Sequence, residues 1–255
     1  MKVVRVSYRA DASDKIGRTR ELAYQLMRRQ QELRRDVEAI CLVNQASVAD
    51  DGATTAGKSG GLPSWLKTSY YGYGGTVGGF NASTKLTVAH GAVATAGGLT
   101  ETLLRDTIQN VYQQGGDPAV FMAVPGVISQ FSKFMLSSGG HVAQIRSTTS
   151  AQSEEPVTAL GAVNVFVTDF GTIRAVPNRL QPTYNSTDAH AVCDVFVLDP
   201  QYASLAYLRG YQTDELAKTG LAENRQMSVD WTLVVHTEKA HGQIVGVNPL
   251  TAMVA

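Results

Sequence analysis

At 255 residues with 44% hydrophobic side chains, the chain can bury one large core or two modest ones, which excludes a disordered polypeptide. Twenty-two basic and twenty-two acidic residues cancel, so no whole-chain charge draws it to nucleic acid or to a membrane surface. No stretch approaches the roughly eighteen apolar residues of a membrane span, MKVVRVSYRADASD lacks a signal-peptide core, and Cys41 and Cys193 are too few and too separated for a disulfide framework.

The expectation is a soluble chain made in a cytoplasm, with both cysteines as buried thiols. After the first 13 residues, the pattern over 14–45 predicts one uncapped helix. At 1.5 Å per residue it would be on the order of 45 Å long. Leu22, Leu26, Leu33, Val37 and Ile40 form a narrow apolar stripe, with Arg28, Glu32 and Arg35 on the opposite side. Arg28 with Glu32 and Arg34 with Glu38 have the spacing of i,i+4 ion pairs. So long a helix with so slim a stripe suits a strut better than a core element.

Residues 46–98 read as a long loop: twelve of the twenty-four glycines lie between Gly52 and Gly98, and neither a period of 2 nor one of 3.6 is sustained. A loop of that length inside a compact domain is a lid or a binding element, or is ordered from outside. Its GATTAGKS segment satisfies GxxxxGK[ST] through Gly52, Gly57, Lys58 and Ser59. A phosphate cradle also needs a strand before it and a helix starting at the Lys-Ser pair. Here the upstream segment is helical, and Gly60, Gly61 and Pro63 obstruct a helix downstream. Asp169 and Asp199, each ending an apolar run, imitate a magnesium-holding acid. A P-loop-like nucleotide hydrolase is therefore kept as the alternative reading. Trp65, Tyr70, Tyr71 and Tyr73 read as interface anchors rather than a base-stacking platform, since only Lys58 and Lys67 stand near them.

The middle of the chain predicts a sheet with helices against it. TETLLRDTIQNVYQQ is helical to Gly115, AVFMAV is a short buried strand, and Pro125 opens a second helix stopped by Gly139 and Gly140. AVNVFVTDF, with Val163, Val165 and Val167 alternating, and VCDVFVLD read as strands. Asp199 and Pro200 are placed to start a helix, QYASLAYLR, closed by Gly210. Toward the C-terminus, Met227, Val229, Trp231, Leu233 and Val235 alternate with polar residues, EKAHG turns, and QIVGV returns as the second arm of a half-buried hairpin.

No catalytic constellation emerges, and neither cofactor nor metal is expected. The histidines at 90, 141, 190, 236 and 241 lack HExxH or GxSxG company. His236 and Glu238 form HxE without the PCxxC of a zinc deaminase, and His190 with Cys193 is only half a zinc site. Asp188, Asp194 and Asp199 fit turns and a helix cap.

In their order, these elements resemble the major capsid proteins of tailed bacteriophages with the Hong Kong 97-type fold, particularly the Su10-like branch. The residues that carry the resemblance are Gly17 to Gln45, the GGLPSWL turn at Gly60 to Leu66, and Asn224 to Val247. It implies an α+β capsid fold: a spine helix over 14–45, a peripheral domain of 14–98 with 224–255, and an axial domain of 99–223. Residues 1–13 would be the remnant of an extended-loop strand, its other half and the N-terminal arm being cut away, processed or replaced by other contacts. The resemblance further implies identical subunits in pentamers and hexamers of an icosahedral shell around double-stranded DNA. Portal, scaffolding or cement proteins are further expected partners, contact with packaged DNA would be weak and non-specific, and assembly would take place in the host bacterial cytoplasm. Arg28, Glu32, Arg35 and Trp65 are the interface residues expected from exposure and residue type.

Overall fold

The computed structural model describes residues 1–13, 16–17, 20–137, 165–185, 191–218 and 220–254. In chain order the elements are β1 (Lys2–Ser7), α1 (Tyr8–Ala12), α2 (Glu21–Leu42), β2 (Tyr70–Gly72), β3 (Gly79–Asn81), β4 (Leu86–Val88), α3 (Glu101–Gln113), β5 (Val120–Ala123), α4 (Pro125–Ser137), β6 (Val165–Thr168), β7 (Gly171–Pro177), β8 (Tyr184–Asn185), β9 (Ala191–Leu198), β10 (Ala203–Glu215), β11 (Ala222–Val235) and β12 (Gly242–Val247).

The long helix is real and shorter than its pattern. α2 has 22 residues, about 33 Å, against the expected 14–45. Arg20 at its N-cap makes no side-chain cap bond. Asp11 of α1 supplies one from outside: its Oδ1 accepts the N–H groups of Glu21 at 2.9 Å and Leu22 at 3.1 Å. At the other end Val43 is extended. Tertiary bonds then claim the next two residues: Asn44 clamps the backbone of His90, and the Gln45 amide donates to the Ser59 carbonyl at 2.8 Å. The buried stripe is Leu33, Val37 and Leu42, while Leu22 and Leu26 are half-buried and Ile40 is exposed. The expected ion pairs also re-sort. Glu32 pairs with Arg29 at 2.6 Å, Glu38 accepts from Asn178, and Arg34 lies over the Tyr211 ring.

α2 lies along β1, the outer strand of a three-stranded antiparallel sheet ordered β1-β11-β10. The expected helix over 201–209 is not formed. Asp199 does cap, accepting from the Gln201 N–H at 3.0 Å, but only for one 3-10 turn at Pro200–Tyr202, after which the chain becomes the 13-residue strand β10. The alternating strand β11 offers a ladder of backbone partners, from Ala203 opposite Val235 to Glu215 opposite Arg225. That ladder outweighs a weak helix signal.

The larger sheet runs β2-β12-β9-β5-β7-β6, with β8 beside β9. The expected C-terminal hairpin is therefore corrected: β11 stays in the three-stranded sheet, and β12 enters the larger one between β9 and β2. All six residues of β12 are buried, which suits a central strand and not one arm of a half-exposed hairpin. Gly242 is required there, because a Cβ would strike the methyl of Thr107 on α3.

The main core forms where α3 and α4 cover this sheet: Leu104, Ile108, Val127 and Phe131 meet Phe121, Ile173, Val195 and Ile244. α3 starts where expected, Thr100 accepting the Leu103 N–H at 3.1 Å. On β6 the period is right and the face reversed. Val165 and Val167 point to solvent and Phe166 points in. Val163 and the stop at Gly139 and Gly140 lie outside the described residues.

Residues 46–98 are not a structureless loop. They carry a 3-10 turn at Leu62–Ser64, β2 on the larger sheet and the β3-β4 hairpin. Much of their order comes from the same chain. The Glu238 carboxylate accepts the N–H groups of Lys67 and Thr68 and the Thr68 hydroxyl, and Tyr73 donates to the Gly98 carbonyl at 2.5 Å.

Candidate functional site

The nucleotide motif fails on geometry. The amides that would have to face a phosphate already face Asp51, whose Oδ1 accepts the N–H groups of Ala53, Thr54 and Thr55 at 2.8 to 2.9 Å. Oδ2 takes the Thr54 hydroxyl at 2.9 Å. These four donors hold the carboxyl of Asp51 well below the usual carboxylate range. Lys58 sits in an antiparallel bridge with Val48, and a 3-10 turn follows where a helix N-terminus would be needed. Asp199 is committed to capping and to the N–H of Asp117.

The histidines are likewise structural. His236 shares a hydrogen bond with Ser204 at 3.0 Å, and Glu238 is spent on Lys67 and Thr68. His241 is fully buried, with Nδ1 accepting the Asp199 N–H at 3.3 Å; burial pulls its pKa below the ordinary value. His141, His190 and Asp188 lie outside the described residues. Cys193 is buried on β9 with its thiol toward the Val247 carbonyl, and desolvation pushes it up to about 12. Cys41 is half-buried, and burial followed by the charge of Glu38 pushes it up to about 11. Among the described residues, no group of His, Cys, Asp and Glu could hold a metal ion. Asp194 is no turn residue but a buried member of β9, paired with His90.

What remains is surface. β10 has β11 on one edge and, among the described residues, no strand on the other, and eleven of its thirteen residues are exposed. Leu205, Tyr207 and Leu208 stand out from it, with Leu208 85% exposed. Leu208 has no place in the ladder: Tyr207 opposes Trp231, Arg209 opposes Asp230, and the extra residue between them is a bulge that holds the leucine outward. Beside this strand an open groove of about 520 Å³ is lined by Val37, Cys41 and Leu42 of α2, by Met122, and by Leu205 and Tyr211 of β10. Apolar surface beside a free strand edge is the kind of feature that a neighbouring chain covers.

The four expected interface residues fall at separate places. Arg28 is exposed on α2, bonded to the Tyr24 hydroxyl at 3.1 Å and stacked on its ring. Glu32 faces Arg29 one turn away. Arg35 is exposed beside Pro177, Asn178 and Arg179. Trp65 is half-buried, stacked on Phe80 with centroids 5.9 Å apart, and packed against the cluster of Leu42, Leu62, Leu66, Phe196, Leu233 and Val235. Trp65→Ala is accordingly expected to destabilise the subunit itself by about 2 kcal/mol, read as a lowered melting temperature before any assembly is scored. Sequence reasoning missed β10 because QYASLAYLR carried a cap and no polar alternation; the β-formers Tyr207, Tyr211 and Thr213 were the available signal.

A family model described as SU10 major capsid protein matches residues 1–248. None of the curated proteins matches the sequence. Among solved structures, the chain is similar to one from the holo-SrpI encapsulin complex of Synechococcus elongatus PCC 7942, at 13% identity and a TM-score of 0.57 over 98% of this chain and 74% of that one. It is also similar to a chain of the satellite phage P4 procapsid with its size determination (Sid) protein, at 10% identity and TM-score 0.54 over 100% and 70%. The capsid of an empty GTA particle is a third, at 13% identity and TM-score 0.53 over 96% and 72%. At such identities the likeness is one of fold, and that fold is the Hong Kong 97 type.

Proposed function

The chain belongs to the SU10 major capsid protein family, and on that premise we propose that its copies assemble as pentamers and hexamers into an icosahedral shell around double-stranded DNA. Membership makes it a structural protein of the virion rather than an enzyme. The observation that carries the assembly reading is β10, a thirteen-residue strand with one edge that no strand among the described residues covers, an outward leucine in its bulge and an apolar groove at its side. A neighbouring copy is the occupant we assign to that surface, because shell symmetry reuses one contact many times. Arg28, Glu32 and Arg35 on α2, and Trp65, are proposed as contacts to neighbouring copies away from this groove. Packaged DNA would be met weakly and non-specifically by a neutral wall. Portal, scaffolding or cement proteins, and assembly in the host cytoplasm, belong to the same reading.

We further read 14–98 with 224–255 as the peripheral unit and 99–223 as the axial unit, with 1–13 as an extended-loop strand. β2 and β12 of the first unit extend the larger sheet of the second, and β10 of the second is laddered to β11, nearly all of which lies in the first, so the two would move only with strain at those strands.

Size-exclusion chromatography with negative-stain microscopy tests the reading. Closed particles are expected, and a persistent monomer at high concentration would overturn it. Purified protein is also expected to turn over no ATP or GTP above the buffer blank. Hydrolysis that disappears with Lys58→Ala would restore the nucleotide alternative.

A further inference from the structure

Where the glycine-rich segment meets the larger sheet, polar side chains form a buried, hydrogen-bonded cluster. His90 and Asp194 are each 5% exposed. The imidazole Nε2 is 3.1 Å from Asp194 Oδ2, and Nδ1 is 2.9 Å from the Gly91 carbonyl oxygen. Both partners are acceptors, so the two contacts are satisfied together only when both ring nitrogens donate, which is the imidazolium form. The carboxylate is completed by donors from other strands: the Tyr184 hydroxyl of β8 at 2.5 Å on Oδ1 and the Gln243 amide of β12 at 3.0 Å on Oδ2. Gln181 donates to the Asp194 backbone carbonyl. On the near side Asn44, just past α2, grips the backbone of His90 from both directions, accepting from its N–H at 3.1 Å and donating to its carbonyl at 3.0 Å.

We propose that this cluster is a proton-held latch: protonated His90 fastens the 86–91 segment, and through Asn44 the end of α2, to β9, and loss of that single proton loosens this attachment. The titratable groups around the ring are few. Asp194 is the acid facing it. Tyr184 and Tyr70 lie with ring centroids 6.0 and 6.2 Å away. Burial pushes both phenols up, with the charge of Asp194 adding to it, so neither ionises near neutrality. Cys193, next to Asp194, is raised by burial as well.

For His90 itself, burial opposes the charge, but the hydrogen bond to Asp194, the Asp194 charge and the Gly91 carbonyl together raise it above its ordinary 6.5. The sign follows. The closed state holds a proton that the open state releases, so the latch is fully effective below 6.5 and is lost as pH rises through the folded value. Within that window the opening equilibrium rises by up to tenfold per pH unit, the slope of one proton. The latch lies inside one subunit and stands independently of the shell reading.

Hydrogen exchange with mass spectrometry on the full chain, from pH 5.5 to 9.5 and normalised to intrinsic exchange rates, tests it. Peptides covering 42–45 and 86–91 are expected to open with rising pH, while α4 peptides stay level. His90→Gln keeps a donor toward Asp194 without a titrating charge and should flatten the profile. Tyr184→Phe leaves the His-Asp pair and should keep the rise. A level profile in the unmutated chain, a rise shared by α4, or an unchanged rise in His90→Gln would each overturn the latch. The unmutated profile decides even if His90→Gln does not fold.

Discussion

Replacing Phe131 with alanine is expected to remove about 3–5 kcal/mol from the stability of the subunit. Phe131 on α4 is fully buried, meets Phe121 of β5 at a 5.4 Å centroid distance and Phe166 of β6 edge-on at 5.7 Å, and so joins the helix to two strands of the larger sheet. Ring pairs of this kind add to simple area burial, and the space left by alanine is walled by β-sheet that has little freedom to collapse. A domain of ordinary stability, about 5–15 kcal/mol, would keep only part of its margin. Thermal or denaturant unfolding of unassembled subunits is the measurement, with a fall in melting temperature of about 10 °C expected. Val167→Ala supplies the contrast. It neighbours Phe166 in the chain yet faces solvent, and its effect should stay within about 0.5 kcal/mol. Equal losses at 131 and 167 would mean that α4 does not rest on this sheet as described.

How much of this was legible in the sequence depended on how local each signal is. The centre of α2, the start of α3 at Thr100 and the opening of α4 at Pro125 follow from residues within a turn or two of one another, and the structure has them. Misreadings gather where partners are distant. QYASLAYLR carries a sound cap, but its backbone finds β11 only after the chain has turned back, and that ladder decides its state. QIVGV looks like the second arm of a hairpin because Gly and turn residues precede it. The site that takes this fully buried strand lies between β9 and β2, which come from elsewhere in the chain. The buried pair of His90 and Asp194 is 104 residues apart in sequence, with no spacing rule to announce it. The GxxxxGK[ST] match is the converse case: a local pattern complete in its letters and cancelled by one neighbouring carboxylate, Asp51.

Leu208→Asp is expected to abolish particle formation while leaving the isolated subunit as stable as before. The side chain is 85% exposed and stands in a bulge outside the β10-β11 ladder, so aspartate there breaks no hydrogen bond and vacates no core. In an unassembled subunit the change should fall within about 0.5 kcal/mol. At a contact between copies the same carboxylate would have to lose its water against apolar surface without a partner, a cost of several kcal/mol. Every subunit of a closed shell would meet that cost at once. Microscopy should then find no particles at concentrations where the unmutated chain is fully assembled, with unchanged melting curves for the free subunit. Leu208→Ala, which removes apolar area without introducing charge, should assemble at a raised critical concentration. Normal particles from Leu208→Asp would show that the β10 edge faces solvent in the shell and would move the proposed contact elsewhere on the subunit.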